Sequence, residues 1–377
     1  MKRLAIVRQR YTPYGGAEVF VERAIDALLE RGVSIMVITR RWSGAPRKGV
    51  EVTTVDPFHL GRTTRQQGFA RAVCALLSPR TDLLVQSHER IACCDIYRAG
   101  DGVHAVWLEE KTRGARSLAR TLTYLDPFHR YALAAERRLY ASKRLKAVIC
   151  ISRMVQDEVH AHFGIPRERL PIIYNAIDSA VFHPDLRRHR EVTRRAAAIG
   201  HDAVVFLLVG SGYVRKGAAT ALRALAQTPA NARLVIVGKD RHEDRYRRLA
   251  RSLGVERRVT FAGPQSDPKP WYGAADAFIL PTLYDPLSNA VLEAMACGLP
   301  VITSHRCGAG ELVSAHNAGT LCDSRDVPAH ARAMTALLDP SLRQRQGRAA
   351  RNAVLPLTPQ AMAGELIALY ERLLVPA

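Results

Sequence analysis

Two carboxylates stand eight residues apart in the stretch YDPLSNAVLEAMACGLPV, which runs from Tyr284 to Val301. Glu293 interrupts an apolar run made by Ala290, Val291, Leu292, Ala294, Met295 and Ala296. A carboxylate in such a setting needs partners, because buried charge is rarely left unpaired. Two vicinal hydroxyls, as on a ribose, would satisfy both of its oxygens; arginine or backbone groups would serve a purely structural glutamate as well. Asp285 reads as a helix N-cap with Pro286 in the first turn, and Gly298 as the residue just past the other end. The expected helix covers about 286–297.

A second loaded stretch is LLVGSGYVRKGAATALRAL, 207–225. An apolar strand ends at Gly210, and Arg215, Lys216 and Gly217 stand just before a helix. Arginine forks onto phosphate oxygens, and lysine adds a compact point charge. Two cations gain nothing from the positive end of a helix, so their placement makes sense with an anion among them. Gly210, Gly212 and Asp240 also half-match a dinucleotide fingerprint, but its third glycine falls on Arg215, which weakens that reading. Near the amino terminus, YTPYGGAEVF (11–20) places Gly15 and Gly16 before another helix. Bare backbone there could approach an anion closely, or could be a plain turn.

The elements that must position these residues alternate. LAIV (4–7), SIMVITR (34–40), TDLLVQS (81–87) and KAVICIS (146–152) read as strands in the first half, with a helix over 17–32. AVVFLLVG (203–210), ARLVIVG (232–238), RVTFAG (258–263), DAFILPT (276–282) and LPVITS (299–304) repeat the rhythm in the second. Strands rich in Val, Ile and Leu and separated by helices imply βαβ units and parallel sheets buried on both faces. In such sheets ligands bind beyond the carboxyl ends of the strands, which is where the three loaded stretches fall. The proline-bearing segment 164–192 reads as the end of one domain and a linker to the next. Thr358 and Pro359 can open a final amphipathic helix.

At 377 residues the chain has material for two domains. Its 55 Lys and Arg against 35 Asp and Glu give a formal net charge of +20, which suggests a polyanionic partner or a solvated basic surface. No window is long and apolar enough for a membrane span, and the first apolar run is too short for a signal peptide. The seven cysteines form no regular framework, favouring reduced thiols and a cytoplasmic address. None has zinc-ligand spacing, and no metal is expected. Between Lys111 and Lys146 ten basic residues face only Asp126 and Glu136, interleaved with Leu118, Leu122, Leu125 and other apolar residues. That pattern suits an anionic membrane surface or a phosphorylated glycolipid. Nucleic acid is the rival partner, although no helix-turn-helix, zinc or RNA-binding signature accompanies the run.

Taken together, YGGAE, IIYNAIDSAVFHP, VGSGYVRKG, DPLSNAVLEAMACGLPVITS and GAGELV resemble the retaining glycosyltransferases of family 4 (group 1) over essentially the whole chain. The variant is most like bacterial members that build lipopolysaccharide core. The resemblance implies a GT-B fold of the α/β class: two Rossmann-like domains facing each other across a cleft. Residues 1–172, with a helix from 358–377 returning to them, would bind acceptor, and 173–357 would bind donor. It implies a nucleotide-sugar donor, with UDP expected over GDP, and a lipopolysaccharide-core or related glycolipid acceptor. Nucleic acid is then no partner, no cofactor or metal is needed, and the enzyme would lie at the inner face of the cytoplasmic membrane. Glu293 would hold the ribose and Asp285 the donor sugar, beside Gly15, Gly16, Ser288, Asn289 and Ala290. Arg215 and Lys216 would stabilise charge growing on the diphosphate, and Asp101 or His104, with His88 as an alternative, would be the polar group of the acceptor domain. Two departures stand out. The first acid is Asp where Glu is commoner, and Leu287, Ser288 and Asn289 replace a Gly-Phe-Gly-like turn. A same-fold sugar-nucleotide epimerase is the nearest rival.

Overall fold

A computed structural model describes residues 3–11, 25, 29, 34–42, 48–80 and 82–374. The chain divides into two compact units, one of residues 1–176 with 359–377 and the other of 177–358. The first unit contains β1 (Arg3–Tyr11), β2 (Ile35–Trp42), β3 (Val50–Thr54), β4 (Leu83–Ser87), β5 (Ile96–Arg98) and β6 (Ala147–Ile149). The second contains β7 (Val204–Val209), β8 (Ala232–Val237), β9 (Val259–Gly263), β10 (Ala277–Leu280), β11 (Val301–Ser304) and β12 (Gly319–Cys322).

Both sheets are parallel throughout, ordered β3-β2-β1-β4-β5-β6 and β12-β11-β10-β7-β8-β9. Read in chain order the two topologies are the same. Each reverses direction once, between β1 and β4 and between β7 and β10, and each reversal opens a crevice beyond the carboxyl ends of those strands. This is the α/β architecture of the GT-B fold. Helices cover both faces, so residues such as Val205, Phe206, Leu207 and Leu208 of β7 are buried in succession, without the alternation of a half-exposed strand.

The last helix, Pro359–Leu374, belongs to the first unit. Its Met362, Leu366, Ile367, Leu369 and Tyr370 join Leu4, Ile6, Ile35, Val37 and Ile149 in that core. The Tyr370 hydroxyl donates to Gln86 Oε1 at 2.6 Å, giving a buried polar tip its partner.

Three expectations are corrected. Cys74 and Cys93 form a disulfide, because the helix Gly61–Leu77 runs beside the loop after β4 and brings their Cα atoms to 5.5 Å. The other five cysteines are free and buried. The helix after Asp285 spans Asn289–Ala296 with Ser288 as its N-cap residue, so it begins three residues later than the Asp-Pro pair suggests. Asp285 instead has extended backbone, its N–H donating to Arg306 O and its carbonyl accepting from Gly308 N–H. Finally, β3, β5 and β12 were not expected as strands; β5 has three residues and β12 opens on a glycine. Gly15, Gly16 and most of the expected helix over 17–32 lie outside the described residues.

Candidate active site

The crevice of the second unit is built from two strand ends. After β7 the chain turns through Gly210 and Gly212 into a single helical turn, Tyr213–Lys216, which closes at Gly217. Arg215 and Lys216 are therefore its last two residues, and a longer helix follows over Ala218–Ala226. Gly217 has φ +73°, and a Cβ there would stand 1.9 Å from Pro281 O, so only glycine lets this turn press against the exit of β10. The lysine stem lies along bare Gly210, where a Cβ would be 2.8 Å from Lys216 Cε. The turn is tied across: Leu283 N–H and Thr282 Oγ1 both donate to Arg215 O at 2.8 Å. Asp240, the acid of the half-matched fingerprint, accepts from Tyr213 N–H at 2.7 Å and holds the turn from the other side.

Lys216 Nζ donates to Asp285 Oδ2 at 2.6 Å, and Arg215 Nη1 lies 3.5 Å from the same oxygen. Lys216 and Asp285 are both buried, whereas the Arg215 side chain is half exposed. Ser288 is buried with its Oγ unpartnered. It stands where the helix Asn289–Ala296 begins, and the first N–H groups of a helix have no partner within it. One turn on, Glu293 Oε2 accepts from the Tyr272 hydroxyl at 2.6 Å. Its partner in this structure is thus a tyrosine, not arginine or backbone. Burial pushes the Glu293 carboxyl above its usual range, against the opposing pull of Tyr272 and Lys216. Tyr272, on the helix Lys269–Ala274 before β10, carried no signal in the sequence beyond being an aromatic next to a strand.

The matching crevice of the first unit is also polar. Glu89, two residues beyond β4, accepts from Gln9 N–H at 3.0 Å and from Gln9 Nε2 at 2.9 Å. Burial raises its carboxyl and lowers the neighbouring His88 well below the ordinary imidazole value. Glu89 was not among the expected site residues, although its place after a strand at the reversal point is a usable signal in the sequence. Asp101 is largely exposed beyond β5, with Arg90 Nη1 at 3.3 Å. Arg90 also reaches the buried Glu136 at 3.0 Å. His104 opens the helix His104–Thr112: its backbone N–H donates to Glu136 at 2.9 Å, and its ring Nε2 lies 3.0 Å from His129 Nδ1. Burial lowers its pKa to about 3, so the ring is neutral and engaged with another histidine.

On the surface of this unit, no residue of the helix Ser117–Leu125 is buried. Leu118, Leu122 and Leu125 share one face of it and are 72%, 60% and 56% exposed. Among the described residues no helix is long and apolar enough to cross a membrane, and no cluster of three His, Cys, Asp or Glu could hold a metal.

Two Rossmann-type units in one chain, each with ionisable groups at its reversal point, define the GT-B class of glycosyltransferases. Residues 14–181 match the model of Glycosyltransferase Family 4, and 189–353 that of Glycosyl transferases group 1. The chain belongs to this glycosyltransferase family and is a transferase. It is 26% identical over 324 residues to the lipopolysaccharide glucosyltransferase WaaG of Escherichia coli (strain K12), covering 84% of each chain. To the lipopolysaccharide core biosynthesis glycosyltransferase LpsE of Rhizobium meliloti (strain 1021) it is 28% identical over 332 residues, covering 88% of each. Among solved structures, WaaG matches with a TM-score of 0.80 at 24% identity, over 96% of this chain and 99% of that one. Anabaena HepE in complex with UDP-glucose matches at 0.70 and 18% identity, over 98% and 99%. At these identities the structural likeness establishes the fold.

The raised carboxyl of Glu293 carries a stability consequence. With its folded pKa above the unfolded one, folding favours the protonated acid; this contribution is full below the unfolded pKa and is lost as pH rises through the folded value. Glu293→Gln keeps an acceptor for Tyr272 and removes the charge. It should therefore stabilise the unliganded protein by about 0.5–2 kcal/mol at pH 8, with the gain shrinking as pH falls toward 4. Urea unfolding at both pH values checks this; a Gln variant less stable at pH 8 would contradict it.

Proposed function

We propose that the chain transfers a hexose, glucose, from a UDP-sugar to a lipopolysaccharide-core or related glycolipid acceptor, with retention, at the inner face of the cytoplasmic membrane. The observation that carries this reading is the Lys216–Asp285 pair at the reversal point, with Glu293 on the following helix. Cations for a diphosphate, an acid for a sugar and an acid for a ribose are then gathered in one crevice. The names of WaaG and LpsE supply the acceptor class, and HepE with UDP-glucose supplies a precedent for the donor.

In this account the diphosphate takes over Lys216 and Arg215, whose charge stabilises the leaving group as the bond to the sugar breaks. Asp285, released from the lysine, turns to the sugar hydroxyls. Ser288 Oγ and the first N–H groups of its helix, at Asn289 and Ala290, complete the donor contacts. Glu293 exchanges Tyr272 for the ribose diol. The acceptor hydroxyl gives its proton to a diphosphate oxygen on the face the leaving group vacates, so no side-chain nucleophile takes part, and no metal is assigned. Asp101 is the acid of the first unit assigned to the transferred sugar. His104, neutral and bonded to His129, is a positioning residue. Gly15 and Gly16 keep their assignment to the donor.

The exposed leucines of Ser117–Leu125, among the bases of 111–146, are the surface we assign to the membrane.

UDP at about a hundred times its dissociation constant should stabilise the wild type by about 2.7 kcal/mol, read as a rise in unfolding temperature. Lys216→Ala and Glu293→Ala should lose most of that protection. If both are protected like the wild type, the nucleotide binds elsewhere. Replacing Leu118, Leu122 and Leu125 together by serine should weaken sedimentation with anionic vesicles by more than about tenfold, since each buried methylene contributes about 0.8 kcal/mol. Unchanged sedimentation would remove this helix from the membrane contact.

A further inference from the structure

A cavity of about 660 Å³ opens in the second unit, bounded by Asp276 just before β10 and by Gly298 and Pro300 just before β11. It lies at the amino ends of these strands, whereas Lys216 and Asp285 lie beyond carboxyl ends. Five arginines line it, Arg187, Arg190, Arg343, Arg348 and Arg351, against a single carboxylate, Asp276.

That carboxylate is already engaged. Asp276 accepts from Arg190 and from Arg194 at 2.6 Å each, and from Val205 N–H at 2.8 Å. Arg343 donates to Leu337 O and Arg351 to Ala296 O, so both are anchored by carbonyls that neutralise nothing. A guanidinium has five N–H donors, and these anchors use few of them. Arg187 and Arg348 stand exposed at the rim, and neither side chain has a partner among the described residues. Like charges gathered this way repel, and the carbonyl anchors fix part of the set in place before anything binds.

We propose that this cavity is a second anion site, separate from the transfer site, for a ligand presenting two or more phosphate groups. Its size is that of an organic ligand site and exceeds what one small oxyanion fills. Arginine forks donate to phosphate oxygens in pairs, so guanidiniums spread over the walls match several phosphates better than one. A diphosphorylated lipid headgroup and a soluble polyphosphate share that chemistry.

The test titrates inorganic tripolyphosphate calorimetrically into the full chain at about 0.15 M salt, where diffuse surface attraction is strongly screened. Arg187→Ser/Arg348→Ser should weaken binding by more than about tenfold, the loss of two charge-assisted contacts. Lys216→Ala should keep at least one such binding event. Both rim arginines are exposed, and the single Arg348→Ser serves if the pair unfolds, with a smaller loss expected. Competition by phosphatidylcholine vesicles containing cardiolipin, and not by plain ones, would assign the site to a bisphosphate headgroup. Retained tripolyphosphate binding without competition would assign it to a soluble polyphosphate. Wild-type binding by the rim variants, or complete loss in Lys216→Ala alone, would overturn the proposal.

Discussion

The contact between Lys216 Nζ and Asp285 Oδ2 governs the architecture of the second crevice. Withdrawing a lysine and an aspartate from water costs several kcal/mol per ion, and their attraction offsets that only with good geometry and further bonds. Packed apolar side chains would serve stability as well or better. The surrounding structure nonetheless holds both groups in place. Gly210 and Gly217 admit the lysine turn, Thr282 and Leu283 fasten it to the exit of β10, and the Arg306–Gly308 loop fixes the backbone of Asp285. The pair makes chemical sense as two halves of a binding site that occupy one another until ligand separates them.

The duplicated topology places this chemistry. In a parallel sheet whose strand order reverses, the crevice lies where consecutive crossovers leave in opposite directions. Both units obey that rule with the same order of strands, and both put an acid near it: Asp285 after β10 and Glu89 after β4. The two differ in state. Glu89 is held by the backbone and side chain of Gln9, a neutral partner, whereas Asp285 is held by cations. The second crevice, which sets a buried lysine against its acid, is the one assigned to an anionic donor.

Much of this could be read from the residues. Continuous runs of Val, Ile and Leu announced nine of the strands because a strand covered on both faces needs little else. The pairing of Arg215 and Lys216 beside a glycine, and the placing of Asp285 and Glu293 eight residues apart, marked a candidate site, and the structure does bring Arg215, Lys216 and Asp285 together. What escaped depended on tertiary contact. Tyr272 meets Glu293 across 21 residues, and no local pattern announces such a bond. The Cys74–Cys93 disulfide needs a helix to lie against a loop, which spacing cannot foretell. Asp285 looks like an N-cap because Asp-Pro before an apolar run usually is one; here a lysine 69 residues away takes its carboxylate, and the helix waits for Ser288.

The most direct measurement is a double-mutant cycle. UDP-glucose would be titrated calorimetrically into wild type, Lys216→Ala, Asp285→Ala and the double variant. If one ligand engages both groups and must first part them, the two losses are coupled, and the double variant departs from additivity by about 1 kcal/mol or more. Additive losses within about 0.5 kcal/mol, or binding indifferent to both substitutions, would contradict a donor site built on this ion pair.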